Sequence, residues 1–388
     1  MKKIIGYLVV VLIASCANNK TAKITAQLEQ DLCMNAYLDT PKYVNGYTVQ
    51  TFIDSNIQLA ANEALLASIV PNKADYGFVI VMETQTGRIK ALVNLEKNSD
   101  NNYTNAKNWF INEPVLPGGL IKTFDLMSLL EDKKADTTSI YDAQGGQVVY
   151  AGKTIYDAHL GHHKLSLANA FIYASNSIFA QAIDSAYGNE PILFCNNLEK
   201  FGLEINLQLP ISSTTNENNI PNPKSKNWTN TSLPWMAIGY EHKISPINLL
   251  TYYNAIANNG VMVQPLFMSN IKNKSGETKA YSTLILNEAI CSNNSIKKIQ
   301  DVLRKVVTDG TGKPLLSDEI PISGKSATIQ INADSLTQYA STFVGYFPTN
   351  KPKYTVLVYV YNPQVEFYGS TVAGSVLKSI ALSHSWRK

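Results

Sequence analysis

Two patterns divide the chain. Residues 4–14 form an apolar run of eleven behind Lys2 and Lys3, and a polar stretch with one weak helical segment continues to about residue 45. From Gly46 the patterning becomes dense. Apolar positions recur at helical spacing over 54–70, with Asp54 placed to cap the first turn. Residues 77–84 and 88–95 read as two strands, and the Thr-Gln-Thr-Gly segment ending at Gly87 makes them a hairpin. Helices are predicted over 119–130 and 165–186. A stretch rich in Asn, Ser, Thr and Pro at 212–232 then reads as a long surface loop or lid. Helical patterns return at 246–258, 295–307 and 371–382, alternating with strands at 321–331, 341–346 and 354–361. Strands at both ends with helices between them predict an α+β fold, in which distant segments build one sheet packed by helices and carry a mostly helical insert. No internal repeat is present.

An eleven-residue apolar run is too short to cross a bilayer, which takes about twenty residues, and fits the core of a secretory signal. It ends Ile13-Ala14-Ser15-Cys16, which resembles the lipobox of bacterial lipoproteins. That resemblance implies acylation of Cys16 and cleavage before it. The expected organisation is a signal peptide at 1–15, a tether at 16–45 and one folded domain at 46–388, exported and lipid-anchored at the bacterial cell envelope. Cleavage removes Lys2 and Lys3 and lowers the side-chain charge from +3 to +1.

Composition narrows the classes of function. The chain has 388 residues, 45% of them hydrophobic, enough for a proper core. With 33 Lys and Arg scattered against 30 Asp and Glu, no basic face forms, and nucleic acid is not an expected partner. Cys33, Cys195 and Cys291 are widely spaced and read as small buried apolar residues. His159, His162 and His163 fall close together without a carboxylate or thiol beside them, so a solvated loop is expected rather than a metal site. No cofactor is expected.

The motifs then place the chain. TFIDSNIQ (51–58), VIVMETQTGRIKALV (79–93), AIGYEHKISPINLL (237–250), AIANNGVMVQP (255–265), VVTDGTGK (306–313) and FVGYFPTNKPKY (343–354) occur in one order. In that order they resemble the transpeptidase domain of penicillin-binding proteins, of the class B, cell-division type. The resemblance implies a β-lactamase/transpeptidase-like fold: an antiparallel sheet packed by helices, with an all-helical subdomain.

In that family catalysis resides in three clusters, S-x-x-K, S-x-N and K-T-G. The serine opens a helix and attacks the acyl carbonyl, and the lysine one turn on helps remove its proton. Here the first cluster reads Pro117-Gly118-Gly119-Leu120-Ile121-Lys122, with Gly119 at the serine position. The second reads Ala174-Ser175-Asn176, with Ala174 where a first hydroxyl is usual. The third is Lys325-Ser326-Ala327-Thr328, which puts a methyl where a bound backbone is to pass.

No neighbour replaces the nucleophile on this reading. Thr123 and Ser128 face other ways on the helix, Ser175 is expected to point out of the cleft, and Ser295-Ile-Lys-Lys298 matches S-x-x-K only formally. The expectation is therefore a catalytically inactive transpeptidase fold serving as a binding or scaffold module in peptidoglycan synthesis or cell division. Its expected partners are cell-wall synthesis or division proteins. Lys122, Asn176, Lys325 and Thr328 are the expected ligand-binding residues, for a peptidoglycan stem peptide or a β-lactam held weakly and without covalent reaction. Lys122 lies in an otherwise apolar turn, so if buried it needs a partner, and the resemblance supplies Asn176. The alternatives are an active D,D-transpeptidase or carboxypeptidase with an unrecognised nucleophile, and a β-lactam sensor that is not acylated.

Overall fold

The computed structural model describes residues 42–44, 47–105, 113–207, 209, 221–274, 276, 278–333 and 336–386. The expected signal peptide, Cys16, Cys33, most of the tether and the first part of the 212–232 loop lie outside the described residues. Residues 42–44, expected in the tether, are strand β1 (Lys42–Val44), paired antiparallel with β2 (Tyr47–Thr51). Strand β2 pairs in turn with β11 (Met268–Lys272), and β11 with β12 (Thr278–Ala280), while β10 (Met262–Val263) pairs with β13 (Ile285–Asn287).

Helix α1 (Ser55–Asn72) starts where the pattern placed it, the Asp54 carboxylate accepting the Asn56 and Ile57 N–H groups at 3.0 and 3.3 Å. The hairpin follows as β3 (Tyr76–Glu83) and β4 (Ile89–Lys97), with β5 (Tyr103–Asn105) beside them. Gly87 is needed at its turn. Its φ is +79°, and a Cβ there would stand 2.1 Å from the Gln264 carbonyl oxygen.

From the far end of the sequence come β14 (Ser323–Ala333), β15 (Leu336–Phe347) and β16 (Tyr354–Tyr361). They complete a six-stranded antiparallel sheet in the order β14-β15-β16-β3-β4-β5, with Leu357 opposite Ile80 and Val356 opposite Val81.

Both faces of this sheet are covered, so its central strands are apolar at nearly every position. Val79, Val81, Val356 and Val358 face α1 and the C-terminal helix α9 (Gly369–Leu382). Phe78, Ile80, Leu357 and Tyr359 face the helical layer on the other side. That layer begins with a 3₁₀ turn, Gly118–Ile121, running into α2 (Lys122–Glu131). It continues with α3 (Leu167–Ile172), α4 (Asn176–Tyr187), α5 (Pro191–Lys200), α6 (Ser232–Met236), α7 (Pro246–Ala257) and α8 (Asn293–Thr308).

The sequence pattern predicted one helix over 165–186, and the structure breaks it in two. Ala174 sits at φ +58° between α3 and α4, and the Ser175 hydroxyl caps the second helix by accepting the Ile178 N–H at 3.2 Å. The antiparallel pair β6 (Ile140–Asp142) with β9 (Lys164–Ser166), and between them in sequence the hairpin β7 (Gln147–Tyr150) with β8 (Lys153–Tyr156), stand beside this break. Cys195 is buried as expected, whereas Cys291 is only partly so; burial raises the two thiols to about 11 and about 12.

Candidate functional site

The 3₁₀ turn, the break between α3 and α4, and strand β14 meet on one side of the sheet. The turn is seated by backbone contact. The Gly118 N–H donates to the Gly239 carbonyl at 3.2 Å, and a Cβ on Gly239 would stand 2.3 Å from the Gly118 oxygen. Lys122 opens α2 and is fully buried. Its Nζ donates to Asn176 Oδ1 at 2.6 Å, and Asn176 Nδ2 in turn donates to the Tyr156 carbonyl at 2.8 Å. The amine lies 5.8 Å from the centre of the Phe179 ring. Among the described residues, no Ser or Thr oxygen is a hydrogen-bond partner of this amine.

Lys325 reaches the same place from β14. It too is fully buried, lies 5.6 Å from the centre of the Phe171 ring, and donates to the Ser326 carbonyl at 3.2 Å. Gly119 faces both amines: a Cβ on it would stand 3.3 Å from the Ser326 oxygen, 3.8 Å from Lys122 Nζ and 3.9 Å from Lys325 Nζ. The structure thus brings Gly119, Lys122, Asn176 and Lys325 together.

Burial sets the electrostatics. It lowers Lys122 to about 8, against the opposing pull of Asp125 and Asp157. It lowers Lys325 to about 7, and the neighbouring Lys122 charge pushes the same way. Asp125, one turn beyond Lys122, is fully buried, and among the described residues neither of its oxygens has a hydrogen-bond partner. Burial therefore pushes its carboxyl well above the usual carboxylate range, even with Lys122 pulling it down.

The other sequence-predicted residues fall elsewhere. Ala327 lies on the Lys325 face of β14, packed against the 3₁₀ turn, where a Cβ at Gly118 would meet its methyl at 3.4 Å. Strand alternation turns Thr328 to the opposite face, and its hydroxyl accepts the Gly369 N–H at 2.9 Å, at the start of α9. The Ser175 hydroxyl donates to Asp157 at 2.8 Å, away from the lysines. Thr123 pairs with the Tyr253 hydroxyl at 2.7 Å, and Ser128 is buried without a hydrogen-bond partner among the described residues.

Ser295 and Lys298 line a separate cavity of about 490 Å³ at the other end of α2. There Ser295 donates to Glu131 at 2.5 Å and Lys298 pairs with Asp136. Among the described residues, no three His, Cys, Asp or Glu side chains gather to hold a metal. His159 stacks on Tyr368 and His162 on Tyr173.

Sequence reasoning missed Asp157. It is buried after β8 and accepts both the Ser175 hydroxyl and the Ser177 N–H, the latter at 2.7 Å, which fixes the break that presents Asn176. No local signal in the sequence marks it, because its partners lie 18 and 20 residues away.

Comparison with known proteins bears on the family and the fold. The family model described as penicillin binding protein transpeptidase domain matches residues 77–382. The peptidoglycan D,D-transpeptidase FtsI homolog of Mesostigma viride is 24% identical over 362 residues, covering 86% of this chain and 60% of that protein. The peptidoglycan D,D-transpeptidase FtsI of Buchnera aphidicola is 23% identical, covering 87% of this chain and 58% of its own. The chain thus spans about 60% of the length of these relatives. Among solved structures, the transpeptidase domain of penicillin-binding protein 3 from Burkholderia pseudomallei superposes with a TM-score of 0.70 at 22% identity, covering 89% of this chain and 96% of that one. The D,D-transpeptidase domain from Eggerthella lenta gives 0.72 at 22%, covering 90% and 85%.

Proposed function

We propose that this chain, which belongs to the penicillin binding protein transpeptidase domain family, is a catalytically inactive member of it. On this reading it serves as a binding or scaffold module of the bacterial cell envelope, anchored by lipid on Cys16, with cell-wall synthesis or division proteins as its partners. The observation that carries the reading is Gly119. It occupies the spot from which a side chain would face both amines, and it has no atom to acylate.

Size supports the reading as well. In a serine hydrolase, loss of the nucleophile costs about 10⁶ in turnover, on the order of 8 kcal/mol of transition-state stabilisation. Neutral Lys122 retains the capacity to accept a proton near pH 8, but without a hydroxyl beside it that capacity has nothing to act on. The Ala327 methyl narrows the gap between β14 and the turn, and the Thr328 hydroxyl is already engaged by Gly369. Both favour weak, non-covalent contact with a stem peptide over productive docking.

Turnover and binding measured together test the proposal. Incubated with an acyl peptide ending in D-Ala-D-Ala, the chain is expected to release no D-alanine, while calorimetry detects weak binding that is lost in Lys325→Met. Release of D-alanine above the rate of a heat-denatured control overturns the inactive reading, and absence of any binding removes the stem peptide as ligand.

A further inference from the structure

The β7–β8 hairpin borders the candidate site with one edge and leaves the other edge unused. The Asp157 N–H donates to the Gly146 carbonyl at 2.8 Å, which makes residues 146 and 157 a hydrogen-bonded pair. Antiparallel pairs alternate. Val148 with Ile155 and Tyr150 with Lys153 therefore exchange bonds inside the hairpin, while the backbone groups of Gln147, Val149, Thr154 and Tyr156 turn outward. On the β8 edge the Tyr156 carbonyl accepts from Asn176 Nδ2 at 2.8 Å. On the β7 edge, Gln147 and Val149 present two N–H and two C=O groups, and among the described residues none of the four has a hydrogen-bond partner. Natural edge strands are blunted by lysine, proline, a bulge or a covering element. Strand β7 reads Gln147-Val148-Val149-Tyr150, pairs with β8 in unbroken register, and exposes both residues that turn outward, Val149 to 61%. Its inward Val148 packs with Ile155, Ala180 and Ile238, which seats the hairpin on the helical layer and fixes the free edge in place.

We propose that the β7 edge is a homodimer seam, at which a second copy of this chain lays its own β7 antiparallel to the first. The segment is complementary to itself. With Val148 on a two-fold axis, Gln147 of each copy stands opposite Val149 of the other, and all four residues point their backbone groups at the seam. The N–H and C=O groups of these residues then pair across it, and the two hairpins become one four-stranded sheet in the order β8-β7-β7-β8. No charged side chain of one β7 meets another, because the strand has none. A slip of one residue would set outward groups against inward ones and lose the bonds, so the register is defined. The seam is small beside the roughly 800 Å² per partner of a standard interface, and the dimer is accordingly reversible. This pairing does not depend on the inactive reading. It stiffens the hairpin whose other edge holds Asn176, and with it the residue that meets Lys122.

The test is sedimentation equilibrium of the full chain in density-matched detergent over a hundredfold range of concentration. The expected result is a reversible monomer–dimer equilibrium. Val149→Pro removes an outward N–H and no bond inside the hairpin. The double variant Gln147→Lys with Val149→Lys sets lysines directly opposite each other across the seam. Each is expected to weaken the dimer tenfold or more. Leu193→Lys, at an exposed apolar position on α5, is the control and is expected to leave the dimer unchanged. Should Val149→Pro fail to fold, the double lysine variant decides. A monomer at every concentration, a dimer that the seam variants leave intact, or one that Leu193→Lys weakens as much, overturns the proposal.

Discussion

At the scale of single residues, the site is governed by what surrounds each polar atom. Lys122 is tolerable in an apolar turn because Asn176 meets its amine at 2.6 Å. Truncation by Asn176→Ala leaves that donor buried and unmet, and is expected to cost about 1–3 kcal/mol; urea unfolding measures it, and a loss below the error of the titration contradicts the pairing. The pH dependence follows from the lowered amines. Between about 7 and its ordinary 10.5, Lys325 binds fewer protons in the folded chain than in the unfolded one. Its burial thus weighs fully against the fold below about 7, and the burden fades as pH rises toward 10.5. The stability of the wild type relative to Lys325→Met is expected to climb from pH 7 to pH 10 in urea unfolding. A flat or falling difference contradicts the burial of a depressed amine.

At the scale of elements, the break between α3 and α4 decides where Asn176 points. Ala174 holds φ +58°, a conformation that costs an L-residue roughly 1–2 kcal/mol. Ala174→Gly is accordingly expected to stabilise the chain by up to about 1 kcal/mol, in contrast to the loss such a change causes inside a helix; thermal unfolding of the two forms checks the sign.

This break also marks where sequence reading stopped short. Period-2 and period-3.6 patterns made α1, the β3–β4 hairpin, α7, α8, α9 and the three C-terminal strands legible, because burial on fixed faces writes itself into those spacings. Residues 165–186 are apolar at helical spacing throughout, and the interruption comes from one backbone angle at an alanine and from a distant Asp157, neither of which has a periodic signature. The short strand pairs β6–β9 and β7–β8 carry too few residues to show alternation. Motif order placed Gly119, Lys122, Asn176 and Lys325 in one site, but could not show that alternation along β14 turns the Thr328 hydroxyl to Gly369.

At the scale of the whole molecule, a sheet built from residues 76–105 and 323–361 packs against helices so that three distant segments meet beside it. Residue 325 is carried to residues 119 and 176 by β14, which pairs with β15 and, through it and β16, with β3. The scaffold is therefore competent to position a nucleophile, and Gly119→Ser is expected to show it. Its backbone has no positive φ to strain a side chain, and the new hydroxyl would come within reach of both amines. Slow labelling by a fluorescent penicillin, sped by adding Ala327→Gly, is the expected outcome on a gel; no label in either variant contradicts a preserved scaffold.

With Gly119 at the nucleophile position, the wild-type chain is expected to form no acyl bond. Intact-mass spectrometry after prolonged incubation with excess benzylpenicillin reads this directly. The predicted spectrum shows the unmodified mass alone, whereas a population heavier by one ring-opened penicillin, mapped to any Ser, Thr or Lys of the cleft, contradicts it.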